Sequence, residues 1–302
     1  MTPHTLEFPA NASTKLATFA GDIKIAHTVF ALPFALLSAF IAAGGWPKAG
    51  MLGLILVCMV TARTVAMAAN RLVDAPLDAL NPRTARRAIP SGALSRTFVG
   101  SALSLCAVAF IGSTSLFWVV YRNPWPLRLA APVLLFLGAY PFLKRFTRLC
   151  HYYLGMALAL APICAWIAIR GDLRWPPIIM AAAVLSWTAG FDIIYACQDY
   201  AVDVACGLFS VPAKNGIAKA LWVARVTHGV SAGMLIALGV VTPQLGVFYF
   251  VGVGAAVVLL VVEHSLVRAE DLSKVNIAFF TVNGVMSVIL GSLGIVSVIV
   301  KR

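Results

Sequence analysis

Long apolar runs broken by short polar turns make up most of this chain, and their lengths predict its elements. A membrane-crossing helix needs about 20 apolar residues. The runs long enough to qualify are 23–43, 49–70, 95–119, 129–144, 151–169, 176–199, 219–241, 245–263 and 276–299. The fourth and fifth are short and meet at a basic turn, so their ends are the least sharply marked. Residues 1–18 are polar and lack the basic-then-apolar order of a cleavable signal, so the first apolar run reads as a retained span. Spans two and six lie four apart and both end in acidic residues. That pattern predicts one domain of two related four-helix halves plus a ninth helix.

Composition agrees with an all-α polytopic membrane protein and excludes a soluble globular domain. Of 302 residues, 61% are hydrophobic and 11% charged, and the mean hydropathy is +0.92. The six cysteines show no paired spacing and read as small apolar residues. Most Lys and Arg residues fall on the side that carries the N-terminus. The positive-inside rule makes that side cytoplasmic, in a bacterial inner membrane. The net charge of +12 follows from this topology and from contact with anionic membrane lipid, and gives no reason to expect nucleic acid.

Charge changes the picture in two places. The chain holds only 11 Asp and Glu, and Asp74, Asp78, Asp192, Asp199 and Asp203 fall in two short stretches. Carboxylates near a membrane helix end are costly and mark function by default. At about 100° per residue, Asn70, Asp74 and Asp78 share one helix face, and Asp192, Asp199 and Asp203 share another. Like charges repel at such spacing, and divalent cations resolve the conflict. Mg²⁺ prefers carboxylate oxygens together with phosphate oxygens and waters, so two facing rows would cage a diphosphate and its metals. The bland alternative is solvated loop charge. A transporter or channel would also use intramembrane acids, but these acids sit at helix ends on one side, with no second set across the membrane.

Three segments carry a family resemblance. The run Arg63-Thr64-Val65-Ala66-Met67-Ala68-Ala69-Asn70-Arg71-Leu72-Val73-Asp74 with Asp78 and Asn81-Pro82-Arg83-Thr84 resembles the first signature of the UbiA family of intramembrane aromatic prenyltransferases. The stretch from Asp192 to Asp203, around Tyr195-Ala196-Cys197-Gln198-Asp199, is similar to the second. Tyr140-Pro141-Phe142-Leu143-Lys144-Arg145 resembles a further family loop. The resemblance implies nine helices around a central cavity capped on the cytoplasmic side. It also implies Mg²⁺-dependent transfer of a polyprenyl chain from its diphosphate to an aromatic ring. Asn70, Asp74, Asp199 and Asp203 are then the first metal ligands, with Asp78 behind them. Lys144 and Arg145 are candidates to hold diphosphate oxygens, although topology alone would place basic residues there. Tyr140 would orient Lys144 or touch the diphosphate, against a plain interfacial tyrosine.

Arg63 lies two turns deeper than Asn70 on the same face, inside an apolar run. A buried guanidinium needs a partner. One reading gives it the carboxylate of an aromatic acid, held bidentately; the other is an internal ion pair with Asp192 or another acid. Asp192 would accept the proton of a phenolic hydroxyl and make the ortho carbon more nucleophilic, or pair with Arg63. The acceptor that fits is 4-hydroxybenzoate on the route to ubiquinone, with a dihydroxynaphthoate on the route to menaquinone as the alternative. Lys24 reads as a membrane-surface anchor that could also help with phosphate. His27, His151, His228 and His264 show no ligand spacing and read as polar packing. The arginines of loop 83–92 belong to a cap over the site.

Overall fold

The computed structural model describes residues 12–24 and 30–301, so His27 lies outside the described residues. Helix α1 (Ala12–Asp22) precedes α2 (Leu32–Ala43), α3 (Ala49–Leu80), α4 (Arg96–Tyr121), α5 (Trp125–Leu143), α6 (Cys150–Arg170) and α7 (Trp175–Ala196). A 3₁₀ turn, Cys197–Asp199, leads into the short helices α8 (Tyr200–Ala205) and α9 (Val211–Asn215). Then come α10 (Ile217–Val241), α11 (Val247–Leu266), a π turn at Ile277–Val282, and α12 (Asn283–Val300). No strand occurs among the described residues.

Eight helices are long and apolar enough to span a bilayer, and α2 is a shorter apolar helix of 12 residues. The predicted first span is the one that differs. Residues 23 and 24 follow α1, residues 25–29 lie outside the described residues, and the helix itself begins at Leu32; Pro33 suits its first turn because proline has no N–H to lose there. Leu105, Val108, Leu135, Val240, Val247 and Val261 are all largely exposed, as expected of side chains that face lipid tails. The chain is an integral membrane protein.

Helix α7 is the central post. It packs on α6 and α10, and Trp187, Ile193 and Ile194 on it are fully buried. Close approach needs small residues: a Cβ on Gly155 of α6 would run into the Leu185 carbonyl of α7, and one on Gly190 into the His228 ring of α10. Around this post, α2, α6, α10, α11 and α12 share one apolar core. Helices α3, α4 and α5 pack against one another to one side.

Helix α3 positions the first motif. Its 32 residues extend about 48 Å at 1.5 Å per residue, well beyond the roughly 30 Å hydrocarbon thickness. The final turns, with Asn70, Asp74 and Asp78, therefore stand clear of the apolar layer on a rigid helix. Pro76 lies within those turns. Proline cannot donate to the carbonyl four residues back and crowds it. That carbonyl, Leu72 O, instead accepts from Arg96 Nη2 at 2.9 Å, and Val73 O accepts from Arg145 Nη2 at 3.0 Å. Two arginines from outside the helix thus satisfy the groups near the proline.

Candidate functional site

The first acidic row forms as its spacing predicts. Asn70 Nδ2 donates to Asp74 Oδ2 at 2.7 Å, one turn along the same face. Asp74 is almost fully buried, and Lys144 Nζ lies 2.7 Å from its Oδ2. Its other oxygen has no hydrogen bond, although Arg145 Nη2 stands 3.4 Å away. Asp78 turns instead to the following loop, where Arg87 Nη1 donates to both its oxygens at 2.7 and 2.8 Å.

The second row is interrupted by a turn. Three residues in a 3₁₀ turn advance about 120° each rather than 100°, which rotates the residues beyond the turn by about 60°. Cys197–Asp199 is such a turn, and the three aspartates go separate ways. Asp199 accepts from Asn81 Nδ2 at 2.7 Å and from Arg83 Nε at 2.9 Å. Asp203 accepts from Ser210 Oγ at 2.6 Å. Asp192 pairs with His151 Nδ1 at 2.7 Å. The backbone N–H of Val211 donates to His151 Nε2 at 3.1 Å. An N–H can only donate, so His151 carries its proton on Nδ1 and gives it to Asp192.

The two motifs meet through the loop after α3. Asn81 and Arg83 reach across to Asp199, and Arg83 Nη1 also donates to the Tyr195 hydroxyl at 2.8 Å. Burial works against the charge on Arg83, but the Asp199 carboxylate beside it outweighs burial and holds the guanidinium above its ordinary range. The Lys144 loop is tied in as well, since Lys144 O accepts from Phe209 N at 2.8 Å. The result is a basket in which acids and bases alternate. Each of Asp74, Asp78 and Asp199 has its own cation.

Among the described residues, no three Asp, Glu, His or Cys side chains close into a group able to hold a metal ion alone. The donors nonetheless suit a hard divalent cation. Asn70, Asp74 and Asp199 offer oxygen, and the buried Asp74 Oδ1 lacks a hydrogen bond. A ligand's own anionic oxygens would complete the shell.

Beneath the basket lies an apolar cavity between α3, α4, α5 and α6. Its lining runs on α3 from Ile55 to Met67 and on α5 from Pro126 to Tyr140, about 18 and 21 Å along the helix axes. Among the described residues, Arg63 is the one charged side chain in that lining. It makes no ion pair with a described acid. Its Nη2 donates to Lys24 O at 3.3 Å, and its buried Nε has no partner. The expected alternative, a pair with Asp192, is not formed, because His151 occupies that carboxylate. Tyr140 shares the cavity's upper end with Arg63; its hydroxyl lies 3.9 Å from Met67 Sδ and does not hold Lys144.

Two partners in this site have no spacing signal in the sequence. Asp22 at the end of α1 pairs with the buried Arg71 at 2.9 Å and accepts the Ala88 N–H at 3.0 Å. His151 read as polar packing because Asp192 lies 41 residues away. Lys24 sits at a left-handed φ of 49° just after α1, and its Nζ lies 4.2 Å from the centre of the Phe280 ring.

The chain matches the UbiA prenyltransferase family over residues 31–285. It is 30% identical over 251 residues to a 4-hydroxybenzoate octaprenyltransferase of Vibrio campbellii, covering 83% of this chain and 86% of that one. To the 4-hydroxybenzoate octaprenyltransferase of Vibrio atlanticus it is 31% identical over 265 residues, covering 85% and 88%. In structure it is similar to the apo form of a UbiA homologue from Aeropyrum pernix K1, with a TM-score of 0.80 and 30% identity over 90% of this chain and 98% of that one. A UbiA homologue from Archaeoglobus fulgidus, described as bound to GPP and Mg²⁺, has the same fold at a TM-score of 0.72 and 17% identity, over 93% and 99% of the two chains.

Proposed function

The chain belongs to the UbiA prenyltransferase family and is a prenyltransferase, and from that premise we propose that it transfers a polyprenyl chain from a polyprenyl diphosphate to 4-hydroxybenzoate, ortho to the hydroxyl, in ubiquinone biosynthesis. The observation that carries the acceptor class is Arg63, a half-buried guanidinium whose buried Nε has no partner and which pairs with no described acid, at the head of an apolar cavity and beneath a basket of paired charges. The names of the relatives at about 30% identity support 4-hydroxybenzoate. The Archaeoglobus homologue, bound to GPP and Mg²⁺, supports the donor class and the metal.

The paired basket is read as a resting state. A diphosphate entering it would draw Lys144 and Arg145 from Asp74, Arg87 from Asp78 and Arg83 from Asp199. The acids so released, with Asn70 and Asp203, would hold Mg²⁺. When bound, Mg²⁺ supplies positive charge against the departing diphosphate. The allylic C–O bond breaks with its electron pair leaving on the diphosphate oxygen, which the freed cations steady. The apolar lining of α3 to α6 takes the prenyl tail and keeps water from the allylic cation. Arg63 turns the acceptor by its carboxylate, and Asp192, fixed by His151, accepts a hydrogen bond from the phenolic hydroxyl. The ring carbon then bonds to the allylic carbon, and its proton passes to the released diphosphate, which restores aromaticity. Positive-inside charge supports a basket that opens on the cytoplasmic side of a bacterial inner membrane.

The test is an assay of the full chain in detergent with geranyl diphosphate, Mg²⁺ and either 4-hydroxybenzoate or a dihydroxynaphthoate. Metal-dependent prenylation of the hydroxybenzoate is the expected result. Product with the naphthoate instead moves the chain to the menaquinone route.

Lys24 adds a pH prediction. Burial, then the neighbouring Arg87, Arg71 and Arg83, lowers its amine to about 8, against a smaller opposing pull from Asp22. A bound diphosphate favours the ammonium form and raises that value. Affinity is therefore full below pH 8 and falls as pH rises through it, by up to about tenfold per pH unit. Lys24→Gln removes that step from the pH profile of the KM for geranyl diphosphate. An identical profile in both proteins would exclude Lys24 from the donor site.

A further inference from the structure

On the opposite side of α7 from the apolar cavity, a buried polar cluster plays no part in the chemistry above. Glu263, on α11, is fully buried. Its Oε1 accepts from Asn283 Nδ2 at 3.0 Å, while its Oε2 has no hydrogen-bond partner. Asn283 Oδ1 in turn accepts from Trp187 Nε1 of α7 at 2.6 Å. Such groups are costly inside a membrane protein unless they organise something.

What they organise is the π turn. A π turn widens the helix and disturbs the backbone ladder, and such turns recur at functional sites. The Asn283 amide has two N–H groups; with one on Glu263, the other is shared between Ala278 O at 3.1 Å and Phe279 O at 3.2 Å. Both carbonyls lie within the π segment Ile277–Val282. A single side chain thus pins the turn, and Trp187 and Glu263 fix which way that side chain points.

The pinned turn sends two rings toward the basket. The Phe279 ring lies 4.2 Å from the Tyr195 ring, centre to centre. Tyr195 accepts from Arg83, the cation on Asp199. Phe280 presents its ring to the Lys24 amine. Two of the basket's cations therefore rest, directly or through Tyr195, on adjacent residues of the π turn.

We propose that Asn283, held by Trp187 and Glu263, is a positioning residue that sets through the π turn where Lys24 and Arg83 stand in the diphosphate site. The proposal rests on the prenyl diphosphate reading of that site. Glu263 serves as an acceptor through Oε1, with Oε2 4.0 Å from His228 Nδ1, so glutamine, whose amide oxygen accepts the same bond, keeps the clamp even where it lowers overall stability.

The experiment uses the full chain in detergent as wild type, Asn283→Ala, Glu263→Ala, Glu263→Gln and Trp187→Phe. Trp187→Phe removes the indole N–H, keeps most of the ring, and carries the proposal should the alanine variants not fold. One readout is the rate at which a water-soluble succinimidyl ester acylates Lys24, followed by mass spectrometry without substrate. The other is KM for geranyl diphosphate, KM for 4-hydroxybenzoate, and kcat.

Asn283→Ala, Glu263→Ala and Trp187→Phe are expected to change Lys24 labelling and to raise the KM for geranyl diphosphate by up to about tenfold, the scale of one lost hydrogen bond. The acceptor KM and kcat stay near wild type, and Glu263→Gln matches wild type in every readout. Loss of kcat with labelling and both KM values unchanged is what a merely structural role gives, and it overturns the proposal. So does Glu263→Gln behaving like Glu263→Ala. If the wild type fails to use geranyl diphosphate, the donor reading falls by itself, and the labelling rates still decide whether the clamp places Lys24.

Discussion

Asp74→Asn is expected to cut metal-dependent turnover of geranyl diphosphate by about 10²- to 10³-fold, the scale seen when one preorganised charge-stabilising group is removed. Asparagine keeps the shape, and its amide oxygen can still accept from Asn70, so the helix face survives. The negative charge does not. Asp74 is the acid at which the first motif and the Lys144–Arg145 loop converge, with Lys144 at 2.7 Å and Arg145 at 3.4 Å. On the proposed reading, removing it takes away a metal ligand and also the anion that stores two cations for the diphosphate. The loss should appear in kcat and in the Mg²⁺ concentration needed for half activity. The melting temperature with no substrate serves as the control for folding. Turnover within a few-fold of wild type at ordinary Mg²⁺ would remove Asp74 from the metal site.

Asp74 was legible in the sequence because a helix repeats every 3.6 residues and Asn70-x-x-x-Asp74 lies within one unbroken helix. The second row follows that rule only in part. Asp192, Asp199 and Asp203 satisfy helical spacing on paper, but spacing holds only while the turn stays α, and the 3₁₀ turn at Cys197–Asp199 breaks it. Apolar run lengths marked α3 to α7, α10, α11 and α12 with its π turn to within a few residues at most ends, because burial in lipid leaves little freedom in where a span lies. The exception is α3, which continues to Leu80 rather than stopping near residue 70. Its polar last turns carry no apolar signal, and the groups near Pro76 are satisfied by arginines far away in sequence. Long-range pairs were the rest of what could not be read. Asp22 with Arg71, His151 with Asp192, and Glu263 with Asn283 join residues 20 to 49 positions apart. Nothing in local pattern encodes them.

Arg63→Ala is expected to lower kcat/KM for 4-hydroxybenzoate by roughly ten- to a hundredfold, since a hydrogen bond to a charged partner contributes about 1.5–3 kcal/mol. The KM for geranyl diphosphate should stay near wild type, because the basket that holds the donor does not include Arg63. A loss of activity alone would not identify the ligand, since Arg63 also donates to the Lys24 carbonyl and its removal could disturb the donor side. A double-mutant cycle isolates the carboxylate contact. Wild type and Arg63→Ala are each assayed with 4-hydroxybenzoate and with its methyl ester, which keeps the ring and hydroxyl but has no charge. If Arg63 holds the carboxylate, the ester is a poor acceptor for the wild type and the substitution costs little further with it. Equal losses with acid and ester would mean that the guanidinium supports the cavity and the carboxylate is bound elsewhere. That result would remove the physical reason for assigning an acid acceptor, while the basket and its reading as the donor site would stand on Asp74 and its cations.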